Sequence, residues 1–136
     1  MISKRNEKLF ERLVRLAQQS RPHLQTGRVF HMAFAIDKGH IVSLGYNSYE
    51  KTSPDTLNYE KENSTNYFPK IHAESDLIRK LKKLKVNYSK IKILVVCIKN
   101  NNKAHLSKPC LNCAYNLGLQ RFKEVWYSTE TGFEKL

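Results

Sequence analysis

No stretch of about 18 apolar residues occurs in the chain, so it holds no candidate membrane span. The basic start, with Lys4, Arg5, Lys8, Arg12 and Arg15, lacks the apolar core and cleavage site of a secretory signal. Both absences lead us to expect a soluble, cytoplasmic protein with no membrane partner. Internal repeats, low-complexity tracts and linkers are also missing, and 136 residues suffice for one core, so a single domain over 1–136 is expected. Cysteine is scarce: three residues, an odd set, two of them in a C-x-x-C. In a reducing compartment this pattern points to metal or redox chemistry rather than to a structural disulfide.

Acidic residues are few. Twelve Asp and Glu stand against 24 Lys and Arg, a formal charge of +12. Such a surplus attracts phosphates, on a mononucleotide or a polynucleotide, and is equally what a merely solvated basic surface carries. Hydrophobic residues make up 40% of the chain, enough to argue against disorder.

What is present alternates helical and strand periods. Leu9, Leu13 and Leu16, with Phe10, Val14 and Ala17, recur at helical spacing over 3–19; Ser3 is a ready N-cap and Pro22 is expected beyond the end. Phe30, Met32, Phe34 and Ile36 alternate up to Asp37-Lys38-Gly39, and an apolar pattern resumes at Ile41, which predicts a β-hairpin. From Asn47 to Lys70 the chain is polar and aperiodic, a length that suggests a lid or binding loop, with Tyr49, Tyr59, Tyr67 and Phe68 packing it down or stacking on a ligand. A second helix is predicted over 72–85, with Ala73, Leu77, Leu81 and Leu84 on its apolar face. Residues 91–98 read as a buried central strand. Pro109 opens a short helix ending near Gly118, and residues 124–128 form another strand. The order αββαβαβ is that of an α/β domain with helices on a mixed sheet.

Two helix starts carry the chemistry. Cys110 and Cys113, three apart, share a helix face and can grip one metal ion, while the helix N-terminus favours their thiolates. His72 sits at another helix start, one strand earlier, so the two starts can converge at one end of the sheet. Structural zinc sites are normally closed by four protein ligands, whereas a catalytic zinc keeps one position for water; three ligands therefore favour catalysis. Glu74 is the candidate to act on that water. Residues two apart on a regular helix point about 200° apart, so His72 and Glu74 can share a site only at the helix mouth.

His72-Ala73-Glu74 with Pro109-Cys110-Leu111-Asn112-Cys113 resembles the H-x-E and P-C-x-x-C signature of the zinc-dependent cytidine and deoxycytidylate deaminase superfamily. Residues 33–54 look like that family's first two strands and the following Asn loop, and residues 121–133 like its fourth strand, so the likeness covers most of the chain after residue 28. It implies a cytidine-deaminase-like three-layer α/β/α fold with a mixed central sheet, and one zinc per chain held by His72, Cys110 and Cys113. Glu74 would carry protons between water, the ring nitrogen and departing ammonia in the conversion of cytosine to uracil. The backbone N–H of Ala73 and the Lys108 carbonyl preceding Pro109 would read the base. Asn47 resembles the family residue that contacts the sugar, and is equally a turn residue after a strand.

Lys51, Lys70, Arg28 and Lys108 are candidate phosphate contacts. Cys97 reads as a small buried hydrophobe or a fourth ligand; His31 as an interior histidine or a pocket wall; His23, His40 and His105 as solvated; and Trp126 and Tyr127 as packing for the last strand, with Tyr127 alternatively bordering the base. The chain is most similar to compact deoxycytidylate deaminases, which favours dCMP as substrate. It has Ser-Lys-Pro-Cys where bacterial tRNA adenosine deaminases have E-P-C-x-M-C, and it ends at Leu136 without room for their additional C-terminal helix. The charge of +12 keeps two alternatives open: deamination of cytosine or adenine within single-stranded DNA or tRNA, and a noncatalytic zinc module that binds nucleic acid. Residues 47–70 contain neither Cys nor His, so no second zinc is expected there. Family resemblance also implies a homo-oligomer.

Overall fold

The computed structural model describes residues 2–49 and 71–136. The expected lid over most of 47–70, with Lys51, Lys70, Tyr59, Tyr67 and Phe68, lies outside the described residues. The elements run α1 (Lys4–Leu24), β1 (Phe30–Asp37), β2 (His40–Tyr46), α2 (Ala73–Leu81), a 3-10 turn (Tyr88–Lys90), β3 (Lys92–Ile98), β4 (Ala104–His105), α3 (Leu111–Leu119), β5 (Glu124–Ser128) and β6 (Phe133–Lys135).

Ser3 caps α1 as its residue type dictates, its hydroxyl accepting the Asn6 N–H at 3.1 Å. The helix then outruns the sequence expectation. Pro22 lies inside it, in a last turn that closes through Gln25 N–H to Arg21 O at 3.0 Å. Proline there removes one helical hydrogen bond, and the turn is held by Leu24 packing on the core. β1 and β2 form the predicted hairpin, tightened by Lys38 (φ 52°) and Gly39 (φ 80°), two successive left-handed residues that match the strand twist.

The sheet order is β2-β1-β3-β5-β6, with β4 on the end of β3. β3 and β5 are parallel and the remaining pairs antiparallel, so the sheet is mixed. Strand alternation sorts β1 between two cores. Phe30, Met32, Phe34 and Ile36 face α1, packing with Phe10, Leu13, Ala17 and Trp126. Ala33 and Ala35 face α2 and α3, packing with Leu77, Leu81, Val95 and Leu117. Burying a side chain such as Phe10 or Leu13 contributes roughly 1.5–3 kcal/mol each. The three layers expected from the sequence are therefore present, with α1 on one face and α2 and α3 on the other.

α2 stops at Leu81, four residues before the predicted end, and Leu84 is 44% exposed rather than on the buried face. Beyond Leu81 the chain tightens into three-residue bonds, Lys83 N–H to Lys80 O and Leu84 N–H to Leu81 O, which turn Leu84 off the apolar face. β4 and β6, two and three residues long, carry too little period to be read from sequence. Among the described residues, no helix is long and apolar enough to cross a membrane.

Candidate metal and deamination site

The C-terminal ends of β3 and β5, the start of β1 and the end of β2 meet at one edge of the sheet, where both short helices begin. His72 is the N-cap of α2, and its ring makes no cap bond, so it is available to a ligand. Cys110 is the N-cap of α3, with its sulfur accepting the Cys113 N–H at 3.4 Å. Capping by a thiolate satisfies an orphan donor and places both sulfurs at the positive end of the helix.

His72 Nδ1 lies 3.8 Å from Cys110 Sγ and 3.4 Å from Cys113 Sγ, and all three donor atoms fall within 4.8 Å of one another. Zinc bond lengths of about 2.3 Å to sulfur and 2.0–2.1 Å to nitrogen separate tetrahedral donors by roughly 3.6–3.8 Å. The donor set and its spacing fit zinc. Without a metal, hydrogen bonds from Cys113 and His72 hold the Cys110 thiol down at about 3. Cys113, the donor in that bond, is pushed up, and His72 is raised by its bond to Cys110.

Glu74, in the first turn of α2, is buried, and burial raises its carboxyl above the usual range. Ala73 is 1% exposed, Pro109 is buried and Lys108 is exposed at the approach to α3. Asn47 is 2% exposed and both ends of its amide bond the backbone of β1 and the residue before it. Oδ1 accepts the His31 N–H at 2.9 Å, and Nδ2 donates to the Val29 carbonyl at 2.9 Å. Arg28 is exposed on the same approach and acts electrostatically on Tyr49.

His31 is pushed down to about 4 by burial and then by the neighbouring His72, so it is neutral near pH 7. Cys97 pairs opposite His31 and His105 in the sheet and is 2% exposed. It stands outside the three-donor group, as a buried hydrophobe does. His105, expected in solvent, is instead half-buried on β4 between Glu130 and Asn101, each at 3.3 Å. Trp126 packs on Phe10, and the Tyr127 hydroxyl donates to Glu134 at 2.8 Å. His23 and His40 are exposed.

Three supports of this site escaped the sequence reading. Gly45 of β2 lies under α2: a Cβ there would come within 2.5 Å of Leu77 N and 2.7 Å of the Ala73 carbonyl. Only glycine lets the helix sit so close, and a glycine inside a strand pattern is the signal that could have found it. Asp76, buried on α2, accepts the Tyr46 N–H at 3.2 Å and pairs with Arg79 and Lys80, fixing the helix start to the end of β2. Ser107 and Ser128 tie the segment before Cys110 to β3 and β5. The Ser107 hydroxyl donates to Val95 O at 2.6 Å and accepts the Ser128 N–H at 2.9 Å, while the Ser128 hydroxyl donates to His105 O at 2.7 Å.

A model of the cytidine and deoxycytidylate deaminase zinc-binding region matches residues 3–129. The chain belongs to this deaminase family. Comparison with curated proteins gave no match. Among solved structures, the dCMP deaminase of cyanophage S-TIM5 in complex with dCMP and dUMP is similar at 19% identity and a TM-score of 0.62, covering 93% of this chain and 83% of that one. The apo form of the same enzyme gives 19% and 0.57, with 96% and 87% covered. Cytidine deaminase from Mycobacterium leprae gives 16% and 0.57, with 93% and 92% covered. These likenesses establish a cytidine-deaminase-like fold.

Proposed function

We propose that the protein hydrolyses the amino group of a cytosine nucleotide, dCMP to dUMP being the favoured conversion, with release of ammonia. The observation that carries this reading is a buried carboxylic acid, Glu74, two residues from His72 at the mouth of α2, which faces the Cys110 and Cys113 sulfurs at the mouth of α3. His72, Cys110 and Cys113 would hold one zinc per chain. Bound there, zinc supplies Lewis acidity that lowers the pKa of a water from 15.7 to about 7.

Glu74 takes a proton from the attacking water and delivers it to the ring nitrogen, then moves the second proton from the new C4 hydroxyl to the amine as the bond from C4 to the amine breaks. The Ala73 N–H and the Lys108 carbonyl hold the base, Pro109 fixes that carbonyl at the mouth of α3, and Asn47 lies against the sugar. The excess of cations favours a phosphorylated substrate over a free nucleoside. Self-association belongs to the same reading, supported by Tyr115 and Leu119, one turn apart on α3 and 67% and 58% exposed. The test is turnover of dCMP, CMP, dCTP, deoxycytidine and a cytosine-containing single strand by zinc-loaded protein, with Glu74→Ala as control. Selective production of dUMP supports the reading; conversion of the oligonucleotide alone replaces it with deamination inside a polynucleotide.

A further inference from the structure

Cations collect in a groove at the end of the sheet away from the donor cluster. An open cavity of about 770 Å³ is lined by Arg5, Lys8 and Arg12 of α1 on one side and by Lys38, Lys90 and Lys123 on the other. Among the described residues, its one lining carboxylate is Asp37. A second cavity of about 420 Å³ shares Arg12 and Gly39 with the first and continues to Arg15 and His40. Lys92 is fixed in the lining by its bond to Asn6 Oδ1 at 3.0 Å. The α1 cations at 5, 8, 12 and 15 fall at spacings of three and four, a single stripe rising about 15 Å, and Glu7 and Glu11 stay outside the lining.

His31 marks the donor-cluster end of β1 and Asp37 the groove end; six residues of strand separate them by about 20 Å. A group held in the groove is therefore not the base presented to Glu74. We propose that the groove is a docking track for the phosphodiester backbone of a single-stranded polynucleotide, separate from the deamination site. A row of cations repeated at helix spacing matches a ligand with repeated anions better than one compact phosphate. Three of the four α1 cations are arginine, whose fork fits phosphate oxygens in pairs. The groove is concave and a second cavity extends it from Arg12 to Arg15, which suits a strand and not a flat lipid surface. Among the described residues, its lining holds no Phe, Tyr or Trp to stack on bases, so the track reads charge rather than sequence.

The test is fluorescence anisotropy of the full, zinc-loaded chain with labelled oligothymidylate and oligoadenylate of about 20 nucleotides. About four phosphate contacts give a salt slope near −3 for a single strand, close to a fifty-fold loss of affinity between roughly 50 and 200 mM salt. The variant Arg5→Glu/Arg12→Glu/Arg15→Glu changes only exposed side chains; it should bind at least about ten-fold more weakly, with a slope shallower by about 2. A control, Lys99→Glu/Lys103→Glu/Lys135→Glu, reverses as many exposed charges outside the groove and should bind as the parent does. The readout is binding and not turnover; dCMP turnover should survive in both variants and marks intact folding, with circular dichroism as an independent check. Equal loss in both variants reduces the effect to net charge and overturns the proposal. So does equal or tighter binding of a duplex or of phosphatidylserine vesicles, or full competition by inorganic tripolyphosphate at the oligonucleotide's own concentration.

Discussion

The Nδ1 of His72 stands 3.4 Å from the Sγ of Cys113, across 41 residues of chain. Two helix N-termini make that contact, and Cys110 completes a donor set spaced for zinc. Purified protein should carry about one zinc per chain. His72→Ala, Cys110→Ser and Cys113→Ser should each weaken zinc binding by more than the roughly 10–100-fold that loss of an outer-shell partner costs. Competition with a chromophoric chelator measures this; parent-like affinity in any of the three variants would remove that residue from the site.

Glu74 is a proton carrier in the proposed reaction and not a member of the donor set. Glu74→Gln keeps the shape of the buried side chain while removing its capacity to exchange a proton. Zinc content should remain at the parent level, and kcat should fall by about 10²–10⁴. Metal analysis alongside steady-state kinetics separates the two effects. A variant that loses zinc and activity together would make Glu74 a support of the donors instead.

How far the sequence could be read depended on the range of each interaction. The β1–β2 hairpin was legible because Phe30 to Ile36 alternate and Lys38-Gly39 accepts the turn, both local facts. The site was legible because His72, Cys110 and Cys113 mark helix starts, where a short motif fixes local geometry. The exit of α1 past Pro22 was not, since tertiary packing of Leu24 decides it, and neither was the early stop of α2, where the chain tightens into three-residue bonds that the apolar period does not announce. Nor were β4 and β6, which exist only by pairing with longer strands.

Gly45 is the most consequential of the unread positions, because α2 carries both His72 at its cap and Glu74 in its first turn. A methyl group at 45 meets helix backbone, which yields only by moving the whole helix. Gly45→Ala should therefore lower stability by about 1–3 kcal/mol. It should also weaken zinc binding, whereas Gly118→Ala, where an added Cβ meets nothing within 4 Å, should do neither. Urea denaturation of both variants decides it, and equal stabilities would contradict the close approach of β2 and α2.

Cys97 is the one cysteine outside the donor set, and burial pushes its thiol up to about 11. Reaction with iodoacetamide runs through the thiolate. A rise of about two pH units over its ordinary value leaves roughly a hundredth of the usual thiolate near pH 8, before the barrier of access is counted. Cys97 should label at least about 100-fold more slowly in the folded, zinc-loaded protein than in urea. Peptide mass mapping over time reads this directly; fast labelling in the native state would mean that the β3 end opens to solvent.

Asn47 poses the sharpest choice between support and substrate contact. Its amide joins the His31 N–H to the Val29 carbonyl while it is 2% exposed, so removing it strands a donor and an acceptor away from water. Asn47→Ala should cost about 1–3 kcal/mol for each group left unpaired. Asn47→Asp keeps the acceptor for His31 but sets a carboxylate against the Val29 carbonyl, and should be destabilised as well. If the residue only braces β1, KM for dCMP stays near the parent value in whatever fraction of Asn47→Ala remains folded. The proposed function sets the amide's second hydrogen against the sugar, so the expected result is a higher KM at unchanged zinc content. Denaturation curves and KM measured on the same preparation distinguish the two, because strand bracing acts on the folded fraction and a sugar contact acts on substrate affinity.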